Sequence, residues 1–298
     1  MRECVGIDKE TGDFLIKHDT EDGKWEAIQG QKSSTDGEKV RSQKGSVLFR
    51  FMIRVIRRVY PQPELTGLEN LPDEPCIIVS NHAKTHGPII SQLFFPENSY
   101  TWCASQVMHL EDFPAYAFED FWSYKPRWSH WFWHMLSYLI APFGVSLMTN
   151  ARTIETHYDS GILSTFRTTV KRLCEGNHVI IFPEYKENYN HVVNRFHDGF
   201  VSVAKLYHKK TGKAIQFVPM YIAPNLRQTV IGQPVRFCPE APAEEERQRI
   251  CSQLMDAVTN LAENLPPHRV IPYDNKIPKR NYPWNTYEGV GIHENTSC

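Results

Sequence analysis

Cys76, Ile77, Ile78 and Val79 form an unbroken apolar run that Ser80, Asn81 and His82 bring to an end. A short run without alternation predicts a strand buried on both faces, as inside a parallel sheet. Gly87 and Pro88 predict the next helix, with Gly at the N-cap and Pro at the first helical position. Ile89, Ile90, Leu93 and Phe94 then recur at helical spacing. The pattern therefore puts His82 at the carboxyl end of a strand and before a helix, the edge where open α/β sheets bind ligands. Further strands are predicted over 100–104, 178–182 and 215–222. Helices are predicted over 160–175, with Ile162, Leu163, Phe166, Val170 and Leu173 inward and Gly176 as the stop, and over 199–208 and 242–263. Pro242 and the three glutamates after it suit a helix start. Strands alternating with helices predict an α/β fold: a single domain with a central, largely parallel sheet flanked by helices.

Two segments carry more apolar or basic surface than such a domain needs. Over 46–60, opened by Ser46 as a cap, Arg50, Arg54, Arg57 and Arg58 fall on one helical face, and Leu48, Met52, Val55, Ile56 and Val59 lie roughly opposite. That is the pattern of a membrane-interface helix, or of a packed helix with a solvated basic face. Between 108 and 145 aromatic residues cluster, and 128–143 reads as a helix apolar on nearly every side, too short to span a bilayer. Burial is its ordinary explanation, and a membrane-facing rim of Trp and Tyr the alternative. Residues 1–45 are polar, with a short hairpin expected over 14–25. Residues 266–298, rich in Pro, Asn and Tyr, read as a tail that wraps the surface or is disordered. The domain proper is expected over 46–265.

Composition narrows the function. A net charge of −1 on 298 residues speaks against a nucleic-acid binder. Seven cysteines without CxxC pairs fit a reduced, cytoplasmic setting. The polar N-terminus does not read as a signal peptide, and no run reaches the roughly 20 apolar residues of a spanning helix. The expectation is a cytoplasmic protein peripherally attached to membrane.

The candidate chemistry centres on His82. His82 and His86 have the spacing of two metal ligands on a helix, which makes a metal-dependent hydrolase a minor alternative. The general-base Glu of the zincin motif is absent, Ala83 standing there, and no G-x-S-x-G elbow of a serine hydrolase occurs.

Four segments in order resemble the glycerolipid (1-acylglycerol-3-phosphate) acyltransferase family, over roughly 65–233. Asn81-His82 matches the start of the family's His-x4-Asp motif, with Gly87 where the Asp stands. Phe143 to Arg152 resembles its Gly-containing strand ending near an Arg. Phe182-Pro183-Glu184-Tyr185-Lys186-Glu187 echoes Phe-Pro-Glu-Gly-Thr-Arg. Phe217-Val218-Pro219-Met220-Tyr221-Ile222 resembles the Val-Pro strand. The resemblance implies transfer of a fatty acyl group from a thioester, acyl-CoA or acyl-carrier protein, to a hydroxyl or amine of a lipid-like acceptor. His82 would be the general base, and no metal or other cofactor would be involved. It implies substrate binding by Asn81, Gly87, Arg152, Pro183, Tyr185 and Lys186, with free N–H groups at the helix start near Pro88 adding to the electrostatics. Gly87 cannot orient the imidazole as the family's Asp does, so Glu184 is the expected substitute; Asp would fit at Gly87 as an N-cap. The alternative is a catalytically inactive lipid- or acyl-binding protein on the same fold.

Overall fold

The computed structural model describes residues 4–7, 14–17, 25–27, 47–96, 98–157 and 161–286. The chain divides into two units, Met1–Lys44 and Gly45–Cys298. In the first, β1 (Cys4–Ile7), β2 (Phe14–Lys17) and β3 (Trp25–Ala27) form an antiparallel sheet in that order. The expected hairpin is the β2–β3 pair, Leu15 opposite Ala27, and β1 adds a third strand. Ser46 lies outside the described residues.

The second unit begins with α1 (Val47–Val59), β4 (Glu64–Thr66), β5 (Ile77–Ser80), α2 (His86–Phe94) and β6 (Ser99–Ala104). Then come α3 (Phe113–Ala117), a π-helical turn at Phe118–Trp122, α4 (His130–Asn150), β7 (Thr153–Thr156), α5 (Ile162–Cys174) and β8 (His178–Ile181). The remaining elements are β9 (Glu184–Asn188), β10 (Asn194–Phe196), α6 (Ser202–Thr211), β11 (Gln216–Ala223), β12 (Gln228–Ile231), β13 (Val235–Arg236) and α7 (Ala243–Glu263).

Eight strands make one sheet in the order β4-β12-β11-β5-β8-β6-β7, with β13 also on β11. From β11 to β7 all neighbours are parallel, and β12 and β13 run antiparallel to β11. β5 and β8 sit at the centre, and every residue of both is buried. Covered on both faces, these strands favour apolar side chains at successive positions, Ile77–Val79 and Val179–Ile181, which is why their sequences run without alternation. Ile78, Ile90, Ile180, Val218, Met220 and Ile222 share one core cluster. Short βα turns then leave the carboxyl end of β5 as a ledge in the middle of the sheet.

Three expectations are corrected. Helix α2 starts at His86 with Thr85 as its N-cap residue, so Gly87 and Pro88 lie inside its first turn. The 143–152 segment is not a strand: α4 continues to Asn150 and the next strand is β7. Gly144 permits helical packing there, because a Cβ would lie 2.3 Å from the Phe113 ring. With 21 residues, α4 is long and apolar enough to cross a membrane by length and composition, and most of it is not buried.

Residues 266–286 are woven into the domain. Asn285 is fully buried, donating from Nδ2 to the Ala262 carbonyl at 2.8 Å and accepting from the His268 N–H at 2.8 Å. The Tyr221 hydroxyl meets His268 Nε2 at 2.9 Å, which pins this segment to β11. Residues 287–298 of the expected tail lie outside the described residues.

Candidate active site

The turn after β5 is closed by backbone. The His86 N–H donates to the Ala83 carbonyl at 3.2 Å, and the Gly87 N–H to the His82 carbonyl at 3.1 Å. The first N–H groups of α2 are thus spent on their own turn and are not the free electrostatic donors expected of this helix start. Ala83 and Lys84 both adopt positive φ, 46° and 58°, a left-handed pair that non-glycine residues rarely form. Its product is specific. The turn brings the Lys84 carbonyl within hydrogen-bond reach of His82 Nδ1.

A carbonyl only accepts, so Nδ1 carries the proton and Nε2 holds the lone pair. That is the tautomer a general base needs, and a backbone oxygen supplies it where the resembling family uses a carboxylate. The imidazole lies edge-on to Phe182, with ring centres 5.3 Å apart, and to Tyr273 at 5.5 Å. This packing disfavours the charged ring and pushes the His82 pKa down to about 4 against the lift from the Lys84 carbonyl. His82 is therefore neutral at neutral pH.

Glu184, expected to orient the imidazole, does something else. It is buried, and its Oε2 accepts the backbone N–H of His82 at 2.5 Å while Oε1 accepts that of Asn194 at 2.9 Å. Both oxygens are committed to main chain, joining the His82 turn to the β9–β10 hairpin. Burial pushes this carboxyl up to about 7 against the pull of its two donors.

Other expected site residues hold the frame. Asn81 clamps the end of β5 to β11: Nδ2 donates to the Ile222 carbonyl at 3.1 Å, and Oδ1 accepts the Ile222 N–H at 2.8 Å. Both ends of the Asn81 amide are thus engaged by the main chain of β11. Gly87 allows a close approach, since a Cβ would sit 2.6 Å from the His82 carbonyl oxygen and 2.7 Å from the Phe182 ring. An Asp would not fit there, contrary to its merits as an N-cap. Pro183 is buried in the β8–β9 turn, where its carbonyl accepts the His197 N–H at 2.9 Å.

The expected anion-binding residues separate. Tyr185 stacks on His197 at 4.3 Å and donates its hydroxyl to Glu187 at 2.8 Å, while Lys186 is exposed on β9. Arg152 precedes β7, three strands from β5, roughly 14 Å across the sheet at the usual strand spacing. Its backbone pairs with Thr101 and Gln92, level with the middle of the sheet and not with its carboxyl edge. It is not brought to His82.

The two histidines have different Nδ1 partners. His86 Nδ1 meets the Tyr60 hydroxyl at 2.5 Å, while His82 Nδ1 is held by Lys84. Among the described residues there is no group of three His, Cys, Asp or Glu side chains placed to hold a metal.

The sequence pattern did not single out Lys84 or Tyr273. The ammonium of Lys84 donates to the Asn275 and Ile277 carbonyls, both at 3.3 Å, and lies over the Tyr282 ring. Asn275 and Lys276 in turn reach Asp120 and Glu119. Residues 273–282 thereby form a strap from the His82 turn to the aromatic segment.

No protein-family profile matches the chain, and no curated protein matches it in sequence. Among solved structures, the crystal structure of the 1-acyl-sn-glycerophosphate acyltransferase PlsC from Thermotoga maritima is similar over 73% of this chain and 83% of that one, at 15% identity and a TM-score of 0.42.

Proposed function

We propose that this chain is an acyltransferase that moves a fatty acyl group from a thioester donor, acyl-CoA or acyl-carrier protein, to a hydroxyl of a lipid-like acceptor. The observation that carries the reading is the His82–Lys84 hydrogen bond. It presents Nε2 of a neutral imidazole at the carboxyl edge of the central strand. In the step proposed, Nε2 takes the acceptor's hydroxyl proton as the oxygen attacks the thioester carbon. The carbon–sulfur bond then breaks, and the thiolate leaves with the proton returned from His82. General-base assistance of this kind contributes about 10²–10⁴ in rate. The three motif resemblances that keep their expected elements, at Asn81-His82, Phe182-Pro183-Glu184 and Phe217–Ile222, suggest the substrate class.

A second reading is a lipid-binding protein without catalysis, which Gly87 in place of the orienting carboxylate favours. One assay separates the two. Purified protein is given acyl-CoA and a panel of lysophospholipid, glycerol phosphate and amine acceptors, and released thiol is measured. Acceptor-dependent release supports transfer, and acyl-CoA binding without release across the panel supports the second reading.

A further inference from the structure

We propose that the outward face of α4, together with the arginine-lined α1 beside it, lies in the headgroup region of a bilayer containing anionic lipid. This goes beyond acyl transfer and does not rest on it. Trp131, Met135, Tyr138, Leu139 and Phe143 recur at three- and four-residue spacing and are 67%, 55%, 69%, 73% and 53% exposed. Trp128, just before the helix, extends the stripe and is 80% exposed. From Trp131 to Phe143 the stripe runs about 18 Å along the helix, and 128–150 holds no Asp, Glu, Lys or Arg. A patch of this kind on a water-facing surface marks an interaction site. Trp and Tyr are the residues that favour the boundary between headgroup and acyl chain.

The opposite side of α4 explains why the helix lies along the membrane and does not cross it. Phe113 packs with Ala141 and against Gly144, Phe118 stacks on His134 at 3.6 Å, and Trp122 stacks on Trp133 at 5.5 Å. The helix is thus held to α3 and the π-turn along most of its length, and Asn150 leads within three residues into β7 of the sheet. Both ends belong to one domain, so α4 cannot insert by itself.

Charge identifies the occupant. α1 contacts α4 and has no acidic residue. Met52 is buried, so the basic and apolar faces are not cleanly opposed: Phe51 and Val55 point outward beside exposed Arg50, Arg54 and Arg58. Arginines edging an apolar face suit anionic headgroups. A second copy docked on this face would bring the same arginines together, which like-charge repulsion opposes.

The test is flotation of the full-length protein with phosphatidylcholine vesicles, with and without phosphatidylglycerol, at low and high salt. Native protein should float with the anionic vesicles and be released by salt, because screening shortens the reach of the headgroup charge. Tyr138→Glu with Leu139→Glu should weaken binding by roughly tenfold or more while circular dichroism stays native. Arg54→Glu with Arg58→Glu should remove the preference for anionic vesicles. Tryptophan quenching by brominated lipids should be strong for shallow bromines and weak for those at the bilayer centre. The proposal is overturned if native protein stays in the soluble fraction at low salt with both vesicles, or if the α4 double variant binds as native does. It is also overturned if deep bromines quench best, or if light scattering shows a dimer that the same variant dissociates without any vesicle binding.

Discussion

His82 Nδ1 is held by the backbone carbonyl of Lys84, two residues further along a turn whose central pair has positive φ. The orientation of the imidazole is thereby a property of the main chain. Nitrogen-15 NMR should find His82 as the Nδ1–H tautomer at neutral pH and still neutral at pH 5.5, since packing holds its pKa down to about 4. Lys84→Met, which retains the carbonyl, should leave that tautomer unchanged. A Nε2–H signal in the native protein would remove the basis of the arrangement.

Glu184 and His82 should give opposite dependences of stability on pH. His82 has a folded-state pKa below its ordinary 6.5, so between about 4 and 6.5 the unfolded chain binds more protons and stability rises with pH. Glu184 is raised from 4.5 to about 7, so over that interval the folded state binds more protons and stability falls as pH rises. Relative to native, Glu184→Gln should therefore gain stability as pH rises from 4.5 to 7, and His82→Gln should lose it from 4 to 6.5. Urea midpoints across this range check both signs, and variant curves parallel to native would refute them.

At Gly87, substitution by Ala or Asp should destabilise the fold by about 1–3 kcal/mol. The new Cβ meets a backbone oxygen and the Phe182 ring, and neither retreats easily. The urea midpoint of Gly87→Ala reads this directly, and a value equal to native would show that the turn can relax.

Asn81→Ala should cost about 2–4 kcal/mol. It leaves both backbone groups of Ile222 buried without their partner. Thermal denaturation should show a markedly lower midpoint, whereas a substrate ligand would change KM with the midpoint intact.

The frame around His82 was legible because both central strands are covered on two faces, so their apolar runs announce them. What failed shares a cause: the same residue type serves different neighbours. Gly144 was expected in a strand because the family resemblance laid a strand over 143–152, while its packing partner in the helix, Phe113, is remote in sequence. The apolar residues of α4 left burial and a membrane-facing rim both open, because periodicity does not tell a buried ring from one facing outward. Glu184 was recognisable as a carboxylate near His82, yet nothing in its identity shows that two main-chain N–H groups occupy it. The Lys84 carbonyl had no signature at all, being a group every residue carries, and Ala and Lys give no hint of a left-handed turn.

The central claim is that His82 is the base of an acyl transfer, and single-turnover thiol release by native protein and His82→Ala, with the best acceptor, tests it most directly. The variant should fold as native does and react about 10² to 10⁴ times more slowly. Equal rates in the two proteins would contradict the account.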